Sequence, residues 1–201
     1  VVNKKLEKLK IVIVGAGAAG RATALLLLKS GVTDVTVTDS KGVIYAGRTG
    51  LNHYKKELSL ITNPEKRKGD VLSAVTGADV VIGVSGPGTI SKHHIEVMAD
   101  KAIVFALANP IPEIKPEDAK AAGAAVIATG RSDYPNQVNN SLVFPGIFRG
   151  ALDRRLTSIT DEMKINVAKK IASMVKKPTA GEVIPGITTP DLVKKVASVI
   201  K

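Results

Sequence analysis

The chain of 201 residues has no cysteine, no tryptophan, and only three tyrosines and three phenylalanines. The missing thiols exclude disulfides, cysteine-ligated zinc, iron–sulfur clusters and thiol nucleophiles together. The few rings argue against the stacking platforms that hold single-stranded nucleic acid. No apolar run approaches the roughly 18 residues a membrane-spanning helix needs. No secretory signal pattern opens the chain, so a cytoplasmic location without a membrane is expected. Acidic residues are also short in supply, 18 against 29 Lys and Arg, for a net charge of +11. The excess lies in the flanks: +7 over residues 1–70, −1 over 71–150 and +5 over 151–201. A neutral middle with few aromatics reads as a lysine-rich solvated surface, not as a nucleic-acid binder.

What remains is an ordinary globular composition, 44% hydrophobic, in a length that suits one domain or one with appendages. Val1–Leu9 reads as the tail of an amphipathic helix, with Val2, Leu6 and Leu9 on one side, and it lacks an N-cap. Strand patterns then recur at Ile11–Val14, Val35–Thr38, Val80–Val84, Ile103–Leu107 and Ala125–Ala128. Each is nearly all apolar, as parallel strands covered on both faces are. Helical segments fall between them: one after the first strand, ending at Gly31, then Leu51–Leu60, Val71–Val75, Lys92–Met98 and Glu117–Ala122. The alternation predicts an α/β fold, a Rossmann-like doubly wound parallel sheet with helices on both faces. Beyond it, Gly130–Asp153 reads as a Pro/Asn/Gly-rich segment. Two C-terminal helices follow, Asp161–Lys177 capped by Thr160 and Asp191 to about Ile200. The expected division is therefore a tail at 1–9, a Rossmann core at 10–130, and a loop with C-terminal helices at 131–201.

The sharpest local signal is Gly15-Ala-Gly17-Ala-Ala-Gly20, between a strand and a helix. Gly15 permits a tight turn, Gly17 lets the backbone approach a pyrophosphate, and Gly20 lets the helix pack on the strand, with the helix N-terminus facing phosphate. Asp39 ends the second strand nineteen positions after Gly20, close to the spacing of a ribose-binding acid. Its charge favours NAD over NADP, although Lys41 and Arg48 are close enough in sequence to pair with a 2′-phosphate. Three later loops leave the carboxyl ends of strands, where ligands of open α/β sheets collect. They are Ser85-Gly86-Pro87-Gly88, Ala108-Asn109-Pro110, and Thr129–Asn140 with its four amides and an arginine between residues 131 and 140. Asn109 offers both a donor and an acceptor, and Pro110 stiffens the exit.

The segments GAGAAG, TDSKGVIYAGR, ALANPIPE, ATGRSDYPNQVNN and FPGIFRGALD together resemble the C-terminal, nucleotide-binding part of the malic enzymes, especially the short prokaryotic type. The resemblance runs from about Val2 to Asp153 and includes the Ile184-Pro185 tail. It implies oxidative decarboxylation of (S)-malate to pyruvate and CO2 with NAD or NADP and a divalent Mg or Mn ion, in a homodimeric full-length enzyme. By motif, Gly15, Gly17, Ala18, Ala19 and Gly20 with Asp39 would hold the adenosine and pyrophosphate, and Ser85 and Gly86 would line the groove. Asn109 would meet the nicotinamide ribose and the substrate, and Asn139 and Asn140 a malate carboxylate. Arg131 and Asp133 would fix their loop. In the family the metal ligands and the catalytic Tyr and Lys come from an N-terminal domain, which is expected to precede Val1. No catalytic or metal-binding residue is therefore expected in this chain, which should bind cofactor and be inactive alone.

Other residues carry weaker signals. His93 and His94 are adjacent on a helix and diverge, Tyr45, Tyr54 and Tyr134 read as packing, and Lys66-Arg67-Lys68 reads as a solvated run. Glu113 reads as a cap for the segment after it. Two alternatives stand beside the leading one: another NAD(P)-dependent dehydrogenase, such as an amino-acid dehydrogenase, and a non-catalytic nucleotide-sensing module like the gating domains of potassium channels. The PNQVNN and FPGIFRG segments argue against the first, and the second has no use for the amide-rich loop.

Overall fold

A computed structural model describes all residues, Val1–Lys201, as two compact units, Val2–Gly130 and Arg131–Lys201 with Val1. The first unit carries a six-stranded sheet. Strands β1 (Lys10–Val14), β2 (Asp34–Asp39), β3 (Gly42–Val43), β4 (Val80–Gly83), β5 (Ile103–Ala106) and β6 (Val126–Thr129) are ordered β3-β2-β1-β4-β5-β6. Five are parallel, and the short β3 adds an antiparallel edge that the sequence pattern did not show.

Alternation along each strand sends residues to two cores. Ile11, Ile13, Val35 and Val37 pack with Ala24 of α1 (Ala18–Lys29) and Leu58 of α2 (His53–Ile61). Val12, Val14, Val81 and Val104 pack with Val75 of α3 (Val71–Val75), Ile95 of α4 (Lys92–Glu96) and Ala119 of α5 (Pro116–Ala121). Burial on both faces explains the unbroken apolar runs. Asn52, Asp70 and Ser91 each accept a first-turn N–H and start α2, α3 and α4.

The expected helix over Val1–Leu9 is only a 3-10 turn at Leu6–Lys8. Lys5 supplies no cap, Lys4 reaches instead to Asp79 Oδ1 at 2.6 Å, and Leu9 turns into the core.

In the second unit α6 (Phe144–Asp153), α7 (Asp161–Ala172) and α8 (Leu192–Ala197) enclose Leu142, Met163, Val167, Ile171, Leu192, Val196 and Ile200. Helix α6 lies where the sequence read as a loop. Its Pro145 sits in the first turn, where no N–H is needed, and Gly146 and Gly150 face α8. A Cβ at Gly146 would come within 2.5 Å of Val196, and one at Gly150 within 2.7 Å of Ile200. The glycines that suggested a loop are a contact surface. Helix α7 stops at Ala172, short of Lys177, where Ser173 Oγ turns back to the Lys170 carbonyl. Helix α8 starts only after Asp191, whose φ of 59° is left-handed.

Candidate functional site

The glycine turn joins β1 to α1. Gly15 has φ +124°, its N–H donates to the Thr38 carbonyl at 3.0 Å, and a Cβ there would lie 2.5 Å from the Val84 carbonyl oxygen. Gly20 packs so closely over Gly15 that any Cβ would collide with its carbonyl oxygen. Gly17, the N-cap residue of α1, differs: a Cβ there would meet nothing within 4 Å. No side chain caps α1 and its first turn holds no acid. Ala18 and Ala19 leave this N-terminus exposed. A twelve-residue helix thus points an uncapped positive end at open space, which suits a pyrophosphate.

That space is a groove of about 600 Å³, lined by the glycine turn, Asp39, Ser40, Lys55, Asp70, Ser85 and Thr89. Its size is right for a small-molecule cofactor. A slightly larger hollow, about 670 Å³, lies in the second unit beside Arg149, Arg154 and Lys194. It has no glycine turn, and its arginines are spent on Asp153 and on the Gly150 and Ala197 carbonyls. The groove is therefore the stronger site.

At the β2 end Asp39 is enclosed. Oδ2 accepts from Arg48 Nη2 at 2.5 Å and Lys55 Nζ at 2.6 Å, and Oδ1 accepts the Lys41 N–H at 2.9 Å. Burial alone would raise the carboxyl pKa, but the hydrogen bonds from Arg48, Lys55 and the Lys41 amide, with the Arg48 charge, outweigh it and hold it at about 2. Arg48 is not a spare phosphate partner. Its Nη1 also donates to the Gly42 and Val43 carbonyls, at 3.0 and 2.9 Å, and its buried Nε has no partner. Lys55, on α2, does not stand out in the sequence, because only the fold brings it to Asp39. Asp70, also in the groove lining, caps α3, and its pKa is lowered by the Ser73 amide and hydroxyl.

At the β4 and β5 ends, Ser85 Oγ and Thr89 Oγ1 are 2.8 Å apart, and Thr89 donates to the Gly86 carbonyl at 2.9 Å, closing that loop on itself. Nothing crowds Gly86. Asn109 follows β5 before a cis bond to Pro110, exposed and packed against Gly130. Glu113, expected as a cap, is instead fully buried, with its carboxyl joined to the Ser85 and Ala108 amides. Arg67 likewise departs from the solvated run expected of it: it donates to the Ala74 carbonyl at 2.6 Å and pairs with Glu65. His94 accepts the Ser91 N–H in the capping box of α4, and His93 faces Glu96.

The second unit holds the amide-rich loop. Asn139 Oδ1 accepts the Ser141 N–H at 2.9 Å and caps a 3-10 turn that begins at Asn140, which is exposed. Asn136, with φ 57°, anchors the loop by donating to the Ala180 carbonyl and accepting from the Val183 N–H, both at 2.8 Å. Arg131 and Asp133 pair at 2.6 Å. No three or more His, Asp or Glu side chains converge in a way that could hold a metal ion.

A parallel sheet with this strand order, a glycine turn under an uncapped helix and an acid closing the second strand define a Rossmann-like dinucleotide-binding domain. The family described as "Malic enzyme, NAD binding domain" matches residues 1–200. Among curated relatives, a bifunctional malic/malolactic enzyme of Bacillus subtilis is 51% identical over 186 residues, covering 91% of this chain and 45% of its own. An NAD-dependent malic enzyme of Geobacillus stearothermophilus is 47% identical over 202 residues, covering 100% and 42%. The crystal structure of malic enzyme from Pyrococcus horikoshii superposes with a TM-score of 0.94 at 45% identity, covering 100% of this chain and 48% of that one. The chain belongs to the malic enzyme family, as its NAD-binding domain, and spans less than half the length of these relatives. No helix is long and apolar enough to cross a membrane.

Proposed function

We propose that this chain is the cofactor-holding part of an enzyme that oxidatively decarboxylates (S)-malate to pyruvate and CO2, and that alone it binds NAD(P) without turning over malate. The observation that carries the binding reading is the uncapped N-terminus of α1 opening on a groove of about 600 Å³ whose lining includes Asp39. A bound nicotinamide dinucleotide supplies the hydride acceptor. The residues here would hold it: Gly15, Gly17, Ala18, Ala19 and Gly20 would present backbone to the pyrophosphate, Asp39 would meet the adenosine ribose, and Ser85 and Gly86 would border the other half. Asn109 would hydrogen-bond the nicotinamide ribose and substrate, while Asn140 and the amide N–H of Asn139 would take a malate carboxylate.

Inactivity alone rests on the resemblance, in which the metal ligands and the catalytic Tyr and Lys come from an N-terminal domain; general acid–base groups are needed to take the malate hydroxyl proton and to protonate an enolate.

The cofactor preference follows from charge. Asp39 alone would repel a 2′-phosphate, but Arg48 and Lys55 turn the cluster net positive. Lys55 is also at the groove surface. The groove therefore admits NADP as well as NAD. Replacing Lys55 by Gln should weaken NADPH about tenfold or more, as for a charge-assisted hydrogen bond, with a smaller effect on NADH.

Fluorescence titration with NADH and NADPH, and an assay with malate, Mn²⁺ and NAD or NADP, test the proposal. Binding with no turnover is expected. Turnover at an ordinary malic-enzyme rate would overturn the inactivity, and failure to bind either dinucleotide would overturn the rest.

A further inference from the structure

The carboxyl of Glu113 is fully buried and is paired with no cation. One oxygen accepts the Ser85 N–H at 2.9 Å and the other the Ala108 N–H at 3.0 Å. Ser85 opens the loop after β4, and Ala108 lies between β5 and Asn109, so one side chain fastens two loops from different strands. The backbone helps, since the Glu113 carbonyl also accepts the Ile90 N–H at 3.4 Å. Space for the carboxyl exists only because residue 83 is glycine: a Cβ there would stand 2.6 Å from Glu113 Cδ. Burying an acid among apolar strands is costly unless its lone pairs are used, and here they are used on two loop amides that no strand pairing satisfies.

Asp39 places the adenosine half of a dinucleotide over β2, which leaves the nicotinamide half to the ends of β4 and β5. We propose that Glu113 is a positioning residue for the nicotinamide half of the cofactor: it sets the Ser85 loop and the Asn109 segment at one height, so that both can contact that half together. The inference rests on the dinucleotide reading of the groove. Glu113 touches no cofactor itself and acts through the Ser85 and Ala108 amides.

Glutamine is the discriminating replacement. Glu113→Gln keeps size and shape, but its amide nitrogen must face one of two N–H donors, so one loop is released. Affinities for NADH and for ADP, which carries only the adenosine and pyrophosphate, are measured on the wild-type chain and on this variant. NADH is expected to weaken about tenfold or more, the loss of a hydrogen bond to a charged group, with ADP changed less than about twofold. Glu113→Asp, which keeps both acceptors one methylene short, should recover part of the loss. Equal losses for NADH and ADP, or none for either, would overturn the assignment. A wild-type chain that binds neither ligand would overturn the dinucleotide reading instead. Amide exchange of the unsubstituted chain tests the same point without a variant. The Ser85 and Ala108 amides should exchange slowly, and should slow further with NADH but not with ADP. Fast, unlinked exchange at the two amides contradicts the proposal.

Discussion

Replacing Asp39 by asparagine should destabilise the chain, and the cost can be worked from its surroundings. The carboxyl side chain is 7% exposed, and the Arg48 side chain that it neutralises 10%. The nitrogen of the asparagine side chain cannot accept, so Arg48 stays buried with its charge uncompensated, while Lys55, 26% exposed, can turn to water. Removing one partner of a buried pair costs about 3–5 kcal/mol. The partial exposure of Lys55 puts Asp39→Asn near the lower end, about 3 kcal/mol. In a chain of this length each kcal/mol moves Tm by about 2–4 °C, so a fall of roughly 6–12 °C at pH 7 is expected. The pH dependence has a definite sign. The folded carboxyl titrates at about 2, below its ordinary 3.8. Its contribution is therefore complete above pH 4 and is lost as pH falls from about 4 toward 2. That shift corresponds to about 2–3 kcal/mol, in line with the pair estimate. Calorimetric melts of the two proteins from pH 7 down to pH 3 provide the assay. Adding Arg48→Met to Asp39→Asn should restore part of the lost stability, because the buried charge leaves with its partner. A Tm within about 2 °C of wild type at pH 7 would mean that Asp39 is not what compensates the buried Arg48 charge.

Two further substitutions separate binding from folding. Gly17→Val should leave Tm nearly unchanged, since nothing lies within 4 Å of the new Cβ, yet should abolish NADH binding in a fluorescence titration by filling the space of the pyrophosphate. Gly150→Leu should do the reverse in its own unit. The α6–α8 contact has no room, with Ile200 at 2.7 Å, so a loss of about 1–3 kcal/mol or more is expected in denaturant unfolding, with binding at the groove unaffected.

The parts of the fold that were legible in the sequence are those written in local pattern. The strands β1, β2, β4, β5 and β6 show as apolar runs because both faces of the sheet are covered, and the glycine turn shows because Gly15 and Gly20 sit where a Cβ would collide with backbone while Gly17 leaves the start of α1 open. Helix α6 was not legible, because Pro145, Gly146 and Gly150 have loop-like propensity and become helical only through packing on α8. The candidate site divides the same way. Asp39 could be placed by its spacing from Gly20, but its charge balance could not, since Lys55 comes from another element sixteen positions on. Glu113 was misread for the same reason: its partner at Ser85 is twenty-eight positions away, and local sequence shows only a residue before a helix.

The uncapped end of α1 and the groove beside it are proposed to hold a nicotinamide dinucleotide. Titrating the chain with NADH in a calorimeter, beside its Gly17→Val variant, tests it most directly. Saturable one-to-one binding to the wild type and none to the variant is predicted. Equal heats from both proteins, or none from the wild type, would mean that this end of α1 is not a dinucleotide site.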